Sequence, residues 1–251
     1  MLLSKSEKEF ISQGIMEDLR ADGRGRLDYR PVQFSVNVIP QAIGSARLKM
    51  GYGGDYMVAI RAEISRPDPE APELGSLTCS IDSSSSAIKG VDEKGSQDRN
   101  NLLATALQRI LPNSFDLGQL CIVKGKHCWA LYVDVLILES DGNSLDAAVM
   151  TARAALSATK LPGVSMEEDA ESEALELSND PNDSKALDCS NLPLAVTLCQ
   201  IDATTYFIDP TKAEETCARA ILSVAVNPSG VVSFMQKSAT GSIEPSVLSD
   251  M

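Results

Sequence analysis

At 251 residues with 43% apolar content, the chain can bury the core of one large domain or of two fused halves. A formal net charge of −13 repels polyanions and excludes tight nucleic-acid binding through a broad basic surface. Only 4% of residues are aromatic, so stacking platforms for bases are scarce and packing rests on Leu, Ile, Val and Ala.

Ser6-Glu7-Lys8-Glu9 reads as a capping box for an N-terminal helix, with Phe10, Ile11 and Ile15 at helical spacing before the Asp22-Gly23 turn. The runs 32–39, 45–51, 56–64 and 76–82 are rich in alternating and β-branched residues and read as an antiparallel meander. A polar stretch with the serine run 83–86 leads to a helix over about 98–111, where Leu102, Leu103, Ala106, Leu107, Ile110 and Leu111 form an apolar stripe. Strands are expected near 119–123 and 128–138, then an alanine-rich helix over 144–159 that stops at Leu161-Pro162-Gly163. Residues 166–188 turn acidic and read as a surface excursion, with Glu167, Glu168, Asp169, Glu171, Glu173 and Glu176 in close succession. Leu194 to Cys199 and Tyr206 to Ile208 restart the strand pattern, while 218–226 stays open between helix and strand. Glu244-Pro245-Ser246-Val247-Leu248 reads as the start of a helix, so a C-terminal truncation is expected. The expected division is an N-terminal helix and turn over 1–26, a first half over 27–162, an acidic linker excursion over 163–191 and a second half over 192–251. Strands and helices in this order imply an α+β fold with mixed sheets.

The chemistry-bearing segment is 133–148, where an apolar strand runs into Ser140-Asp141-Gly142-Asn143 and then a helix. Such a turn aims free backbone N–H groups and the positive end of the helix dipole at one point, the shape of a phosphate cradle. No Arg or Lys lies between Asp134 and Ala152, and Glu139, Asp141 and Asp146 place negative charge where a phosphate would approach. The shape is present without the cation. Arg20, Asp22 and Arg24 around Gly23 read as a structural turn rather than a catalytic triad. The one histidine, His127, precedes a strand and lacks a nucleophile motif. Six cysteines show no Cys-x-x-Cys pair and no zinc spacing with His127, so reduced thiols, no metal and no cofactor are expected. With no signal-peptide core and no long apolar run, a soluble intracellular protein without a membrane partner is expected.

Seven segments in order carry a resemblance: Glu17-Asp18-Leu19-Arg20-Ala21-Asp22-Gly23-Arg24, Gly44-Ser45-Ala46-Arg47, Trp129-Ala130-Leu131-Tyr132-Val133-Asp134-Val135, Asp141-Gly142-Asn143, Ala154-Ala155-Leu156, Thr159-Lys160-Leu161-Pro162 and Ile208-Asp209-Pro210-Thr211. With them the chain resembles the RNase PH family, and within it the ring subunits of the RNA exosome. The resemblance implies an RNase PH-like fold of the ribosomal protein S5 domain 2-like type, two β-α halves with helices packed between them. It further implies a six-membered ring of heterodimers with other RNase PH-like exosome subunits, S1/KH cap proteins on one face, and RNA in the central channel.

Phosphorolytic members of the family carry a Gly-Gly-Thr-Arg-Thr turn for the attacking phosphate, and the resemblance lays that turn on Gly142, Asn143, Ser144, Leu145 and Asp146. Ser144 keeps one hydroxyl, Leu145 replaces the arginine, and Asp146 adds charge of the wrong sign. The family's paired aspartates fall on Glu215 and Ile221, leaving one carboxylate in altered form. Its two RNA-contacting arginines fall on Arg109 and Pro112, so RNA contact is expected at Arg109, helped by Lys124 and Lys126. No catalytic residue is assigned. The expected protein is a non-catalytic structural subunit of the exosome ring, shaping the RNA channel for 3′-5′ RNA processing and degradation in nucleus, nucleolus and cytoplasm. The alternatives are an active phosphorolytic 3′-5′ exoribonuclease and a freestanding RNA-binding module.

Overall fold

The computed structural model describes residues 3–84, 93–166, 175–178, 180 and 183–243. Helix α1 (Lys5–Met16) starts two residues earlier than expected: Ser4 Oγ accepts from Glu7 N and Glu7 reaches back to Ser4 N. Ser4-x-x-Glu7 satisfies the same two orphan donors that Ser6-x-x-Glu9 was expected to satisfy, and it places Ile15 as the buried residue of the helix.

Strands β1 (Val32–Val36), β2 (Gly44–Met50) and β3 (Gly54–Ser65) form the expected antiparallel meander. The fourth member of that meander does not. Strand β4 (Ser76–Ser83) pairs in parallel with β6 (His127–Glu139), which inserts between it and β3 to give the order β1-β2-β3-β6-β4. A parallel pair needs a crossover, and α2 (Glu93–Ser114) supplies it, followed by a 3₁₀ turn (Leu117–Leu120) and β5 (Cys121–Val123), which pairs with β6. Helix α2 runs through Pro112 and ends two residues beyond it.

Helix α3 (Ser144–Ala158) follows β6 directly. Four short strands come next: β7 (Lys160–Pro162), β8 (Val164–Met166), β9 (Leu175–Leu177) and β10 (Ser184–Ala186). Strand β8 pairs with β9 and β10 with β7, so the described parts of the acidic excursion are held by ladders; its residues 167–174 lie outside the described residues. So do Ser85, Ser86 and the expected helix start at 244–248.

The second half is a four-stranded antiparallel sheet of β11 (Leu194–Gln200), β12 (Tyr206–Ile208), β13 (Ala220–Val226) and β14 (Val232–Ser238), ordered β12-β11-β13-β14, with α4 (Lys212–Glu215) before β13. The ambiguous run at 218–226 is therefore a strand, and the valines prevail because they pack on a pleated half-buried surface.

Helices α2 and α3 lie between the two sheets: α3 touches β2 and β11, and α2 touches β4 and β14. The core joins Leu48, Val58, Leu131 and Val133 of the larger sheet to Leu107, Ile110, Ala148 and Ala152 of the helices and to Ala195, Ala225 and Phe234 of the smaller one. Small residues on α3 permit the close approach. At Gly44, where β2 begins, an added Cβ would overlap Thr159 and sit 2.9 Å from the Ala155 carbonyl. All six cysteines are free thiols. Among the described residues no helix is long and apolar enough to cross a membrane.

Candidate functional site

Strand β6 is central in the larger sheet and delivers residues 140–143 to the gap between the halves. Gly142 has φ +85°, and an added Cβ would stand 2.6 Å from Pro210 O and Lys212 N, so the turn can press against the second half only as glycine. Asn143 follows in the left-handed region and opens α3 without capping it by its side chain.

A buried ionic knot fixes this turn. Asp209, fully buried, accepts from Arg30 N (2.8 Å), Arg30 Nε (2.9 Å), Arg30 Nη2 (2.8 Å), Arg24 Nη1 (2.9 Å) and Asn143 Nδ2 (2.9 Å). Burial alone would raise its pKa; the Arg30 guanidinium outweighs burial and holds it below the ordinary value. Arg30 also donates to Asp141 O (2.9 Å). Beside it Arg20, 3% exposed, forms a two-point pair with Glu214 (2.9 and 2.6 Å) and lies over the Phe207 ring. The arginines of the 20–24 segment are thus structural, as the turn reading expected.

The site itself is a cleft of about 250 Å³ where α2, the start of α3, α4 and the second sheet meet. Ser144 Oγ lies 2.8 Å from Ser140 Oγ, accepts from Tyr56 (3.3 Å) and takes a donor from Arg99 Nη2 at 3.1 Å. Leu145 and Ile221 both line this cleft, as do Asn143 and Glu215. The Asn143 N–H donates to Glu215 Oε1 at 2.7 Å. The structure therefore brings together Asn143, Ser144, Leu145, Glu215 and Ile221, which are as far as 78 positions apart in the chain (221 minus 143).

Two expectations about charge need correction. Asp146 does not line the cleft: it is fully buried behind the turn, bonded to the Asn143 side chain, and its carboxylate accepts from Thr197 N (2.8 Å), Thr197 Oγ1 (2.7 Å) and Tyr29 (3.1 Å). Its burial raises its pKa to about 6, against the lowering effect of those hydrogen bonds. The turn also has cations after all, supplied from elsewhere: Arg99 from α2 and Arg30 from the segment before β1.

The three expected RNA contacts stand apart from the cleft. Arg109 is exposed on α2, ten residues and about 15 Å along the helix from Arg99. Lys124, ion-paired with Glu73, and Lys126 lie in the loop before β6, the length of that strand, about 40 Å, from the turn after it. Sequence reasoning missed Arg99, Arg30 and the role of Asp209. A local signal existed only for the last, in the Thr211-x-x-Glu214 capping box that directly follows it. Among the described residues no group of three or more His, Cys, Asp or Glu side chains is placed to hold a metal ion.

Profiles of the 3′ exoribonuclease family match twice, domain 1 over residues 28–162 and domain 2 over 191–251. The exosome complex component Rrp42 of Methanopyrus kandleri is 31% identical, covering 99% of the chain and 91% of its own length. The component of the same name from Sulfurisphaera tokodaii is 34% identical, covering 96% and 86%. Among solved structures, a chain of an archaeal exosome core superposes with a TM-score of 0.76 at 26% identity, covering 98% of this chain and 90% of that one. A chain of the Archaeoglobus fulgidus exosome with RNA bound to the active site gives 0.74 at 25% identity, covering 98% and 91%.

Proposed function

The chain belongs to the 3′ exoribonuclease family, RNase PH, and on that premise we propose that it is a non-catalytic structural subunit of the exosome core ring, supporting 3′-5′ RNA processing and degradation. The relatives named as exosome components and the superposition on exosome cores support the ring assignment. In this reading the chain pairs with other RNase PH-like subunits, helps seat S1/KH cap proteins and lines the channel through which RNA passes. It works in the nucleus, nucleolus and cytoplasm.

One observation carries the inert reading: Leu145 and Ile221 line the cleft at positions where phosphorolysis needs a guanidinium and a carboxylate. Losing a charge-assisted pair costs about 1.5–3 kcal/mol, roughly a tenfold to hundredfold loss of phosphate affinity. The competing reading, an active phosphorolytic subunit, draws on Arg99, which still brings a cation to Ser144. The full chain, alone and co-expressed with its RNase PH-like partner, is incubated with a 3′-ended RNA and inorganic phosphate. The expected result is no nucleoside diphosphate release by the chain alone. Phosphate-dependent release by the chain alone sinks the inert reading. Co-purification from cells should recover several RNase PH-like chains in equal amounts, and a chain recovered alone contradicts the ring reading.

A further inference from the structure

We propose that Glu215 is the built-in anion of the cleft, the side chain that keeps inorganic phosphate out. This rests on reading the cleft as the counterpart of a phosphorolytic pocket. The N–H of Asn143 is a donor at the start of α3, where the helix dipole favours negative charge, and its acceptor is the chain's own carboxylate at 2.7 Å. That carboxylate is delivered by a fixed backbone. Helix α4 is closed by the Thr211–Glu214 capping box, Glu214 is anchored by Arg20, and Lys212 N donates to Asp141 O at 3.1 Å. Glu215 therefore reaches the turn from a scaffold tied to that same turn.

The rest of the cleft is still shaped for a tetrahedral oxyanion. Arg99 Nη2 and Ser144 Oγ supply a guanidinium and a hydroxyl 3.1 Å apart. Asn143 lines the cleft, is 2% exposed, and its Oδ1 has no hydrogen-bond partner among the described residues. An unpaired buried acceptor matches the O–H of hydrogen phosphate, a group that a carboxylate does not possess. Leu145 explains why phosphate would be held weakly; Glu215 explains why the seat is taken.

The two effects separate by mutation. Inorganic phosphate is titrated into the full-length protein and its variants, with binding read by calorimetry and by phosphorus NMR. The wild type is expected to show no saturable binding, Glu215→Ala millimolar binding, and Leu145→Arg alone binding weaker than the Glu215→Ala/Leu145→Arg double variant by at least about tenfold. Adding Arg99→Ala to Glu215→Ala should abolish the binding. Glu215→Ser, whose short side chain removes the charge and leaves the Asn143 N–H free as alanine does, serves if the alanine variant does not fold. Saturable phosphate binding by the wild type overturns the proposal. So does a folded Glu215 variant that binds none, or binding that survives loss of Arg99. None of these outcomes depends on RNA cleavage, which tests the inert reading separately.

Discussion

Asp146 accepts three hydrogen bonds and yet holds its proton more tightly than a free aspartate, because full burial outweighs them. Its folded-state pKa of about 6 lies above the ordinary 3.8, so its contribution to stability is complete below pH 3.8 and is lost as pH rises through about 6. A shift of that size corresponds to about 3 kcal/mol. Urea unfolding of the wild type and of Asp146→Asn between pH 4 and 7 should show the wild type losing stability with rising pH relative to the variant. Parallel profiles would show that the buried carboxyl is ionised throughout. Asp209 acts in the opposite sense, since arginines hold its pKa low, and its contribution fades only as pH falls below the ordinary carboxylate range. At this scale the sequence was legible for Leu145 and silent for Arg99 and Arg30. Those arginines approach the turn from 45 and 111 positions away, and no local spacing records a contact made only by folding.

Among the elements, the passage from β6 through the turn to α3 was fully legible, because an apolar run, a glycine and an alanine-rich stretch each have a local cause. The Gly142 requirement is testable there. Gly142→Ala meets both a left-handed backbone and a clash with the 210–212 segment, and should cost about 2–4 kcal/mol in urea unfolding. Gly230→Ala has the same sign of φ with nothing within 4 Å among the described residues, and should cost only about 1 kcal/mol. Equal costs at the two positions would show that the seating of the turn on the second half contributes nothing. The parallel pairing of β4 was illegible for a physical reason. Leu77, Cys79 and Ile81 alternate in the same way whether a strand joins its predecessor or a partner that arrives after a helix.

For the whole molecule, the larger sheet ends in β1, which pairs with β2 alone among the described strands and exposes Phe34 and Val36 about half each. An apolar edge of this kind is a liability for a free monomer and a ready surface for a ring neighbour. Val36→Lys should leave the far-ultraviolet spectrum unchanged and stability within about 0.5 kcal/mol, while recovery of other RNase PH-like chains falls severalfold. Unchanged recovery would remove β1 from the assembly surface. A net charge of −13 says that RNA held by such a ring is held by shape and by its neighbours more than by this chain's field. The buried knot on Asp209 has a further consequence during synthesis. Arg20 and Arg30 leave the ribosome 194 and 179 positions ahead of Glu214 and Asp209, the acids that neutralise them. At cellular translation speeds that interval lasts roughly 10–40 s. For that time the guanidinium groups of the nascent amino-terminal segment wait for these two acids, so the buried knot closes only after residues 209–214 have emerged.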